Sequence, residues 1–182
     1  MTTANKLTLL RMAMVPLMLI VYYLDFSGSQ VVTFALFVLA AITDMVDGRI
    51  ARKYNQITDF GKFMDPIADK LLVVGMLIAL CGDGKIHPMI VFVIVAREFA
   101  VSGVRLVAAS GKSGKVIAAS WLGKIKTVTQ IVAVSLLLLD NWPFAYLGIP
   151  MAELAVWVSL VFTAWSGVDY LVKNWAYIGG NR

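Results

Sequence analysis

The sequence has very few of the residues that bind soft metals or form disulfides. Its 182 residues include one cysteine, Cys81, and one histidine, His87. A single cysteine excludes an internal disulfide. The lack of a Cys/His cluster argues against a zinc site. We therefore interpret both residues as structural.

Charged residues are also scarce. They make up 15% of the chain, whereas 60% of its residues are hydrophobic. Soluble domains contain about 25% charged and about 45–50% apolar residues, so the composition indicates that lipid is the solvent. The formal net charge of +5 does not indicate nucleic-acid binding, because no extended soluble basic surface is available. It is typical of a membrane protein with a positive-inside bias or a pocket for an anionic substrate.

No uncharged run reaches the roughly 20 residues that cross a bilayer, although apolar stretches recur along the whole chain. Each span must therefore continue through charged positions. These are costly in lipid unless they face protein, water or the membrane interface. Six spans are predicted, at residues 7–24, 30–50, 62–81, 87–110, 116–139 and 150–173.

The charged residues alternate between the start of one span and the finish of the next. Since successive spans run in opposite directions, all the charged ends meet on one membrane face. The opposite face carries one basic residue, Lys85, so the charged face and both termini are predicted to be cytosolic. The predicted fold is an all-α integral membrane protein, a six-transmembrane-helix bundle with a polar active-site cavity on the cytosolic side. It forms one domain over residues 1–182.

Four aspartates cluster at the charged ends of the second and third spans. Asp44 and Asp47 are three residues apart, and Asp65 and Asp69 are four apart. Each spacing places two carboxylates on one helical face. Four carboxylates would repel one another at low dielectric, and all-oxygen ligation suits Mg²⁺ or Mn²⁺. The alternative, in which the aspartates cap helices or pair with nearby lysines and Arg49, accounts for one or two of them.

Small residues and a cation accompany the aspartates. Gly48 and Gly61 remove side chains beside the predicted metals, so that a bulky ligand can approach the backbone. Ala51 leaves room on the same wall. Arg52 supplies a planar fork of donors for phosphate oxygens.

The segment from Asp44 to Asp69 resembles the signature of the CDP-alcohol phosphotransferases. All eight fixed positions are present in the pattern D-x₂-D-G-x₂-A-R-x₈-G-x₃-D-x₃-D. The resemblance implies that an alcohol displaces CMP from a CDP-linked donor under Mg²⁺ or Mn²⁺. It also implies that the four aspartates hold a two-metal centre, and that Asp69 is the general base on the acceptor hydroxyl.

Three further stretches resemble the bacterial phosphatidylglycerophosphate synthases, a branch of that family. They are residues 5–11, 96–105 and 119–127. The resemblance implies CDP-diacylglycerol as donor, glycerol 3-phosphate as acceptor, a place in the bacterial cell (inner) membrane and a homodimer. Within the same family serine, inositol phosphate or phosphatidylglycerol are alternative acceptors, and a cation transporter is an alternative of another class.

Basic residues near the charged face are candidates for substrate contacts. Glycerol 3-phosphate is a dianion, so its site needs cations beyond those that serve the donor. The candidate residues for its phosphate are Arg105, Lys124 and Lys126, each of which is otherwise an ordinary positive-inside residue. Thr8 and Arg11 are candidates for contact with the donor, although Arg11 can instead snorkel to the interface, and Asn5 is a possible further site residue. Arg97 and Glu98 are interpreted as a structural ion pair.

Overall fold

The computed structural model describes the backbone of residues 3–24, 26–53, 59–110 and 120–175. It describes the side chains of residues 8–24, 26–43, 67, 68, 70–108 and 120–175. Within these ranges the chain is helical and contains no strand. The α-helices are α1 (Thr3–Tyr23), α2 (Ser29–Lys53), α3 (Asp59–Gly82), α4 (Pro88–Ser110), α5 (Trp121–Leu138) and α6 (Met151–Lys173).

These six helices lie where the six spans are predicted, so the all-helical prediction is confirmed. Within the described residues two helices, α5 and α6, are long and apolar enough to cross a membrane. The apolar parts of α1, α2 and α3 are shorter, and α4 contains three charged residues. The predicted start of the fifth span at residue 116 lies outside the described residues.

The helices pack as neighbours in a bundle. Helix α1 contacts both α2 and α3, while α5 packs extensively on α6 and α4 packs on α6 as well. The largest buried cluster contains Met18, Phe37, Met76, Leu80 and Leu138. These residues lie towards the ends at which α1, α3 and α5 finish and α2 begins, so one half of the bundle is packed with apolar side chains.

Three turns connect the helices at this apolar end, and the one between α5 and α6 is the longest and contains a 3₁₀ helix at Phe144–Leu147. Each contains a glycine with a positive φ angle: Gly28 at 95°, Gly84 at 71° and Gly148 at 66°. This left-handed conformation is strained for residues that carry a Cβ atom. Glycine therefore eases the reversal of the chain at these three positions.

Two polar contacts link the turns at the apolar end. The hydroxyl of Tyr22 donates a 2.6 Å hydrogen bond to Oδ2 of Asp83. Lys85 Nζ lies 2.6 Å from Oδ1 of Asp140. The turn between α3 and α4 is thereby tied both to the end of α1 and to the turn between α5 and α6.

Candidate active site

A polar cavity of about 250 Å³ lies between the helices in the half of the bundle away from the three turns. Its described walls come from a segment of α3, from α4 between Ile94 and Arg105 and from the start of α5, with one residue each from α1, α2 and α6. Because the helices alternate in direction, these segments meet at one end. This is the end at which the sequence predicts the charged face.

The described cavity lining is strongly cationic. Its one acidic side chain is Glu98. Its basic side chains are Arg11, Lys70, Arg97, Arg105 and Lys126. Such an excess of one sign in a recessed site attracts and concentrates ligands of the opposite sign. The cavity is therefore suited to an anion.

Glu98 on α4 is paired with two of these cations. Its Oε1 atom accepts a 3.0 Å hydrogen bond from Nη1 of Arg97 and a hydrogen bond from Nζ of Lys126 on α5. All three side chains are largely buried. The Arg97–Glu98 ion pair expected from the sequence is present, and Lys126 extends it to a second helix.

Arg97 also reaches α6. Its Nη2 atom donates a 3.0 Å hydrogen bond to Oγ of Ser166, and Ser166 in turn donates to the carbonyl oxygen of Thr163. Ser166 is fully buried. The guanidinium thus joins α4 to α6, while Glu98 joins α4 to α5.

The start of α5 forms another part of the wall. Ser120 caps this helix by accepting a 3.1 Å hydrogen bond from the backbone N–H of Gly123, as N-cap serines commonly do. Ser120, Gly123 and Thr127 line the cavity, and the first turn of α5 contains no acidic residue. The positive end of the helix dipole therefore adds to the cationic character of this wall.

The three basic residues that the sequence predicts for the acceptor phosphate do not all lie in the same place. Arg105 and Lys126 line the cavity. Lys124 is exposed outside the described lining, with its Nζ atom 5.4 Å from the centre of the Trp121 ring. A helix turns about 200° over two residues, which explains why Lys124 and Lys126 face different surroundings.

The two predicted donor residues of α1 with described side chains are buried. Thr8 is 3% exposed and Arg11 is 2% exposed, and Arg11 lines the cavity. Snorkelling by Arg11 to the interface is therefore the wrong alternative. A buried arginine on a largely apolar helix faces protein, because lipid offers it no partners.

The predicted metal ligands and the remaining donor residues lie outside the described side chains. These residues are Asn5, Asp44, Asp47, Gly48, Ala51, Arg52, Gly61, Asp65 and Asp69. Their backbone positions fall on α1, α2 and α3, and α2 contacts α3. Among the side chains that the structure does describe, no group of three potential metal ligands comes together.

Among the lining residues that the sequence analysis does not single out are Gln130 and Tyr170. Gln130 is buried on α5, one turn after Lys126, and donates a 3.2 Å hydrogen bond to Oγ1 of Thr163. Tyr170 accepts a hydrogen bond from Arg105. A polar residue one turn from a candidate residue in an apolar helix is a usable signal for Gln130. Tyr170 is close to Arg105 through tertiary packing alone.

Comparison with known proteins assigns the sequence to a family. Residues 1–165 match the family model of CDP-alcohol phosphatidyltransferase. The CDP-diacylglycerol–glycerol-3-phosphate 3-phosphatidyltransferase of Bacillus subtilis is 48% identical over 183 residues, covering 94% of each chain. The protein of the same name from Rickettsia felis is 39% identical over 168 residues, covering 91% of each chain.

A further relative comes from Mycobacterium tuberculosis. It is named a probable phosphatidylglycerophosphate synthase and is 41% identical over 185 residues, covering 98% of this chain and 84% of its own. Both the family match and these identities extend over most of the sequence. The chain therefore belongs to the CDP-alcohol phosphatidyltransferase family.

Proposed function

We propose that this chain transfers the phosphatidyl group from CDP-diacylglycerol to glycerol 3-phosphate, giving phosphatidylglycerophosphate and CMP. Family membership and the names of the relatives support the reaction class and both substrates. The observation that carries the acceptor assignment is the cavity, whose described lining has five basic side chains and one acidic side chain. A dianionic acceptor suits this excess of positive charge better than serine does.

The cavity borders the signature along both helices that carry it. Ala41 and Val73 line the cavity, and they lie three residues before Asp44 and four residues after Asp69. Residues three or four apart are neighbours on a helix surface. This spacing supports one continuous site made of the signature and the basic cavity.

The donor set of the signature fits a hard divalent cation. Asp44, Asp47, Asp65 and Asp69 supply carboxylate oxygens alone, which Mg²⁺ and Mn²⁺ prefer. They lie on α2 and α3, two helices in contact. In our proposal these four residues hold a two-metal centre, which when bound neutralises charge on the diphosphate and on the departing CMP.

The protein's own residues then have distinct roles in the transfer. Arg105 and Lys126 hold the phosphate of glycerol 3-phosphate in the cavity, while Thr8, Arg11 and Arg52, with the small residues of the signature, accommodate the CDP end of the donor. Asp69 takes the proton of the acceptor hydroxyl as its oxygen attacks the phosphatidyl phosphorus. The bond from that phosphorus to the CMP oxygen breaks, and CMP leaves.

The proposed setting is a bacterial cell membrane. Each of the six helices has 18–25 residues, and a helix of about 20 residues crosses the apolar core of a bilayer. In our proposal the protein functions as a homodimer, and the basic cavity end faces the cytosol, in accordance with the positive-inside rule.

Labelling single cysteines with a membrane-impermeant maleimide in a Cys81→Ser background tests the orientation. A cysteine replacing Tyr146 should react from outside intact cells, and one replacing Lys173 should not.

The decisive experiment measures CMP release by the purified full-length chain in lipid nanodiscs. The enzyme receives CDP-diacylglycerol, Mg²⁺ and, in separate reactions, glycerol 3-phosphate, serine, inositol phosphate or phosphatidylglycerol. Of the four alcohols, only glycerol 3-phosphate is expected to support CMP release. EDTA should abolish this release, and addition of Mg²⁺ or Mn²⁺ should restore it. Release with serine in preference to glycerol 3-phosphate would overturn the acceptor assignment, and full activity under EDTA would overturn the metal centre.

A further inference from the structure

Arg97 is held against α6 by a contact that no ordinary side chain would permit. A Cβ atom at Gly167 would lie 2.9 Å from Cγ of Arg97, closer than carbon atoms approach without a shift. Cγ is the second atom of the Arg97 side chain, so the clash could not be relieved by moving its far end alone. Glycine at residue 167 therefore allows the stem of Arg97 to lie directly on the backbone of α6.

The neighbouring residue fixes the other end of the same side chain. Ser166 accepts the hydrogen bond from Nη2 of Arg97, while Nη1 of Arg97 donates to Glu98. We call Ser166 and Gly167 the Arg97 seat. The seat determines the guanidinium position through two independent contacts, one with the stem and one with the tip.

The seated guanidinium then acts on Lys126. Glu98 Oε1 accepts hydrogen bonds from both Arg97 and Lys126, so a displacement of Arg97 changes the place or the charge balance of the carboxylate that holds the lysine. All three side chains lie in the cavity wall. A shared buried carboxylate couples its two cations because each bond depends on where the other cation holds it.

We propose that the Arg97 seat is a positioning element for acceptor binding, acting on Lys126 through Arg97 and Glu98. This inference rests on the proposed function, since it takes Lys126 to bind the acceptor phosphate. Neither seat residue lines the described cavity. Both act from α6, and they set the specificity for a phosphorylated alcohol without touching it.

The test compares Ser166→Ala and Gly167→Ala with the wild-type enzyme in nanodiscs, by CMP release. The matched control is Gly103→Ala on α4, where an added Cβ would meet nothing within 4 Å. For both seat variants we expect KM for glycerol 3-phosphate to rise about three- to tenfold, less than for the loss of a charged hydrogen bond to the acceptor itself, because the seat acts on Lys126 through Arg97 and Glu98. KM for CDP-diacylglycerol should stay within about twofold, and the control should match the wild type.

A merely structural role predicts a different result. Equal increases in both KM values, a fall in kcat alone or unchanged kinetics in the seat variants would overturn the inference. If Gly167→Ala does not fold, Ser166→Ala decides the question, because it removes a single hydroxyl and adds no bulk.

Failure of the proposed function is recognised separately, by assays of the wild-type enzyme. Wild-type CMP release with another alcohol would show that the acceptor assignment is wrong, and the KM ratio for that alcohol would then decide the role of the seat. If no alcohol supports release by the wild type, both the proposed function and the inference are wrong.

Discussion

Nε of Arg105 on α4 donates a 3.3 Å hydrogen bond to the hydroxyl of Tyr170 on α6. The same guanidinium lies 5.5 Å from the centre of the Tyr170 ring. Tyr170 is buried, at 3% exposure, and both residues line the cavity. The tyrosine therefore orients an arginine that is otherwise exposed.

Replacing Tyr170 with phenylalanine should weaken acceptor binding without removing it. The ring remains and keeps its contact with the cation, but the hydrogen bond is lost. A hydrogen bond to a charged group contributes about 1.5–3 kcal/mol at full strength. This bond is long, at 3.3 Å, and acts on the acceptor only through Arg105, so KM for glycerol 3-phosphate should rise about two- to tenfold.

The control for this prediction is Tyr146→Phe, which removes a hydroxyl from an exposed tyrosine in the connection between α5 and α6. Initial rates of CMP release at several glycerol 3-phosphate concentrations provide the comparison. An unchanged KM in Tyr170→Phe would show that Arg105 needs no orientation by the hydroxyl.

Lys126 and Lys124 form a matched pair on α5. Lys126 is buried in the cavity wall, and Lys124 is exposed beside Trp121. Lys126→Ala should raise KM for glycerol 3-phosphate by about one to two orders of magnitude, the equivalent of a charged hydrogen bond of about 1.5–3 kcal/mol.

Lys124→Ala should have the smaller effect on the same KM, because its ammonium group lies outside the described cavity lining. Separate titrations of glycerol 3-phosphate and CDP-diacylglycerol show which substrate's KM each variant changes. A larger effect for Lys124 than for Lys126 would show that the acceptor binds outside the cavity.

The helices could be predicted from the sequence because apolar stretches and charge placement are read locally along the chain. The six helices α1–α6 fall at the six predicted spans, since each apolar stretch, when continued through its charged end, has about the length of one helix. Consecutive helices run in opposite directions, and this alternation follows from chain order. The charged residues at the end of α4, the start of α5 and the end of α6 therefore lie at the same end of the bundle.

The contacts inside the site could not be predicted in the same way. The bond between Lys126 and Glu98 joins α4 to α5, and the bond between Arg97 and Ser166 joins α4 to α6. Both contacts depend on how the helices are rotated about their axes. Lys124 and Lys126 are both basic residues near the start of α5. Their spacing places them on different sides of the helix, but it does not show which side is buried. The roles of the four aspartates remain predictions, because their side chains lie outside the described residues.

Asp69 carries the proposed acid–base chemistry, and its amide variant tests that role. Asp69→Asn keeps the size of the side chain but cannot take the acceptor proton. Turnover should fall by about 10²–10⁴-fold, the usual contribution of a general base. Binding of CDP-diacylglycerol, measured directly on the variant in nanodiscs, should be largely retained.

The matched control is Asp169→Asn at the end of α6. Asp169 pairs with Lys173 at 2.7 Å and lies outside the described cavity lining, so its variant should release CMP at nearly the wild-type rate. Wild-type turnover by Asp69→Asn would refute the base assignment. Loss of both turnover and donor binding would instead assign Asp69 to metal or donor binding alone.

Tyr22 and Asp83, at the opposite end of the bundle, should affect stability and not catalysis. Tyr22 is buried and donates a 2.6 Å hydrogen bond to Asp83, which ties α1 to the turn between α3 and α4. Tyr22→Phe removes a bond to a charged group, worth about 1.5–3 kcal/mol. For a chain of this size the loss corresponds to a decrease in Tm of roughly 3–12 °C.

Tyr23→Phe is the control, because the neighbouring Tyr23 is 62% exposed. It should leave Tm nearly unchanged, since an exposed hydroxyl exchanges its partner for water at little cost. Thermal unfolding in detergent gives Tm, and CMP release at 25 °C gives both KM values, which should match the wild type in both variants. Equal Tm values for Tyr22→Phe and Tyr23→Phe would show that the turn needs no tie to α1. An altered KM in Tyr22→Phe would show that the apolar end communicates with the cavity.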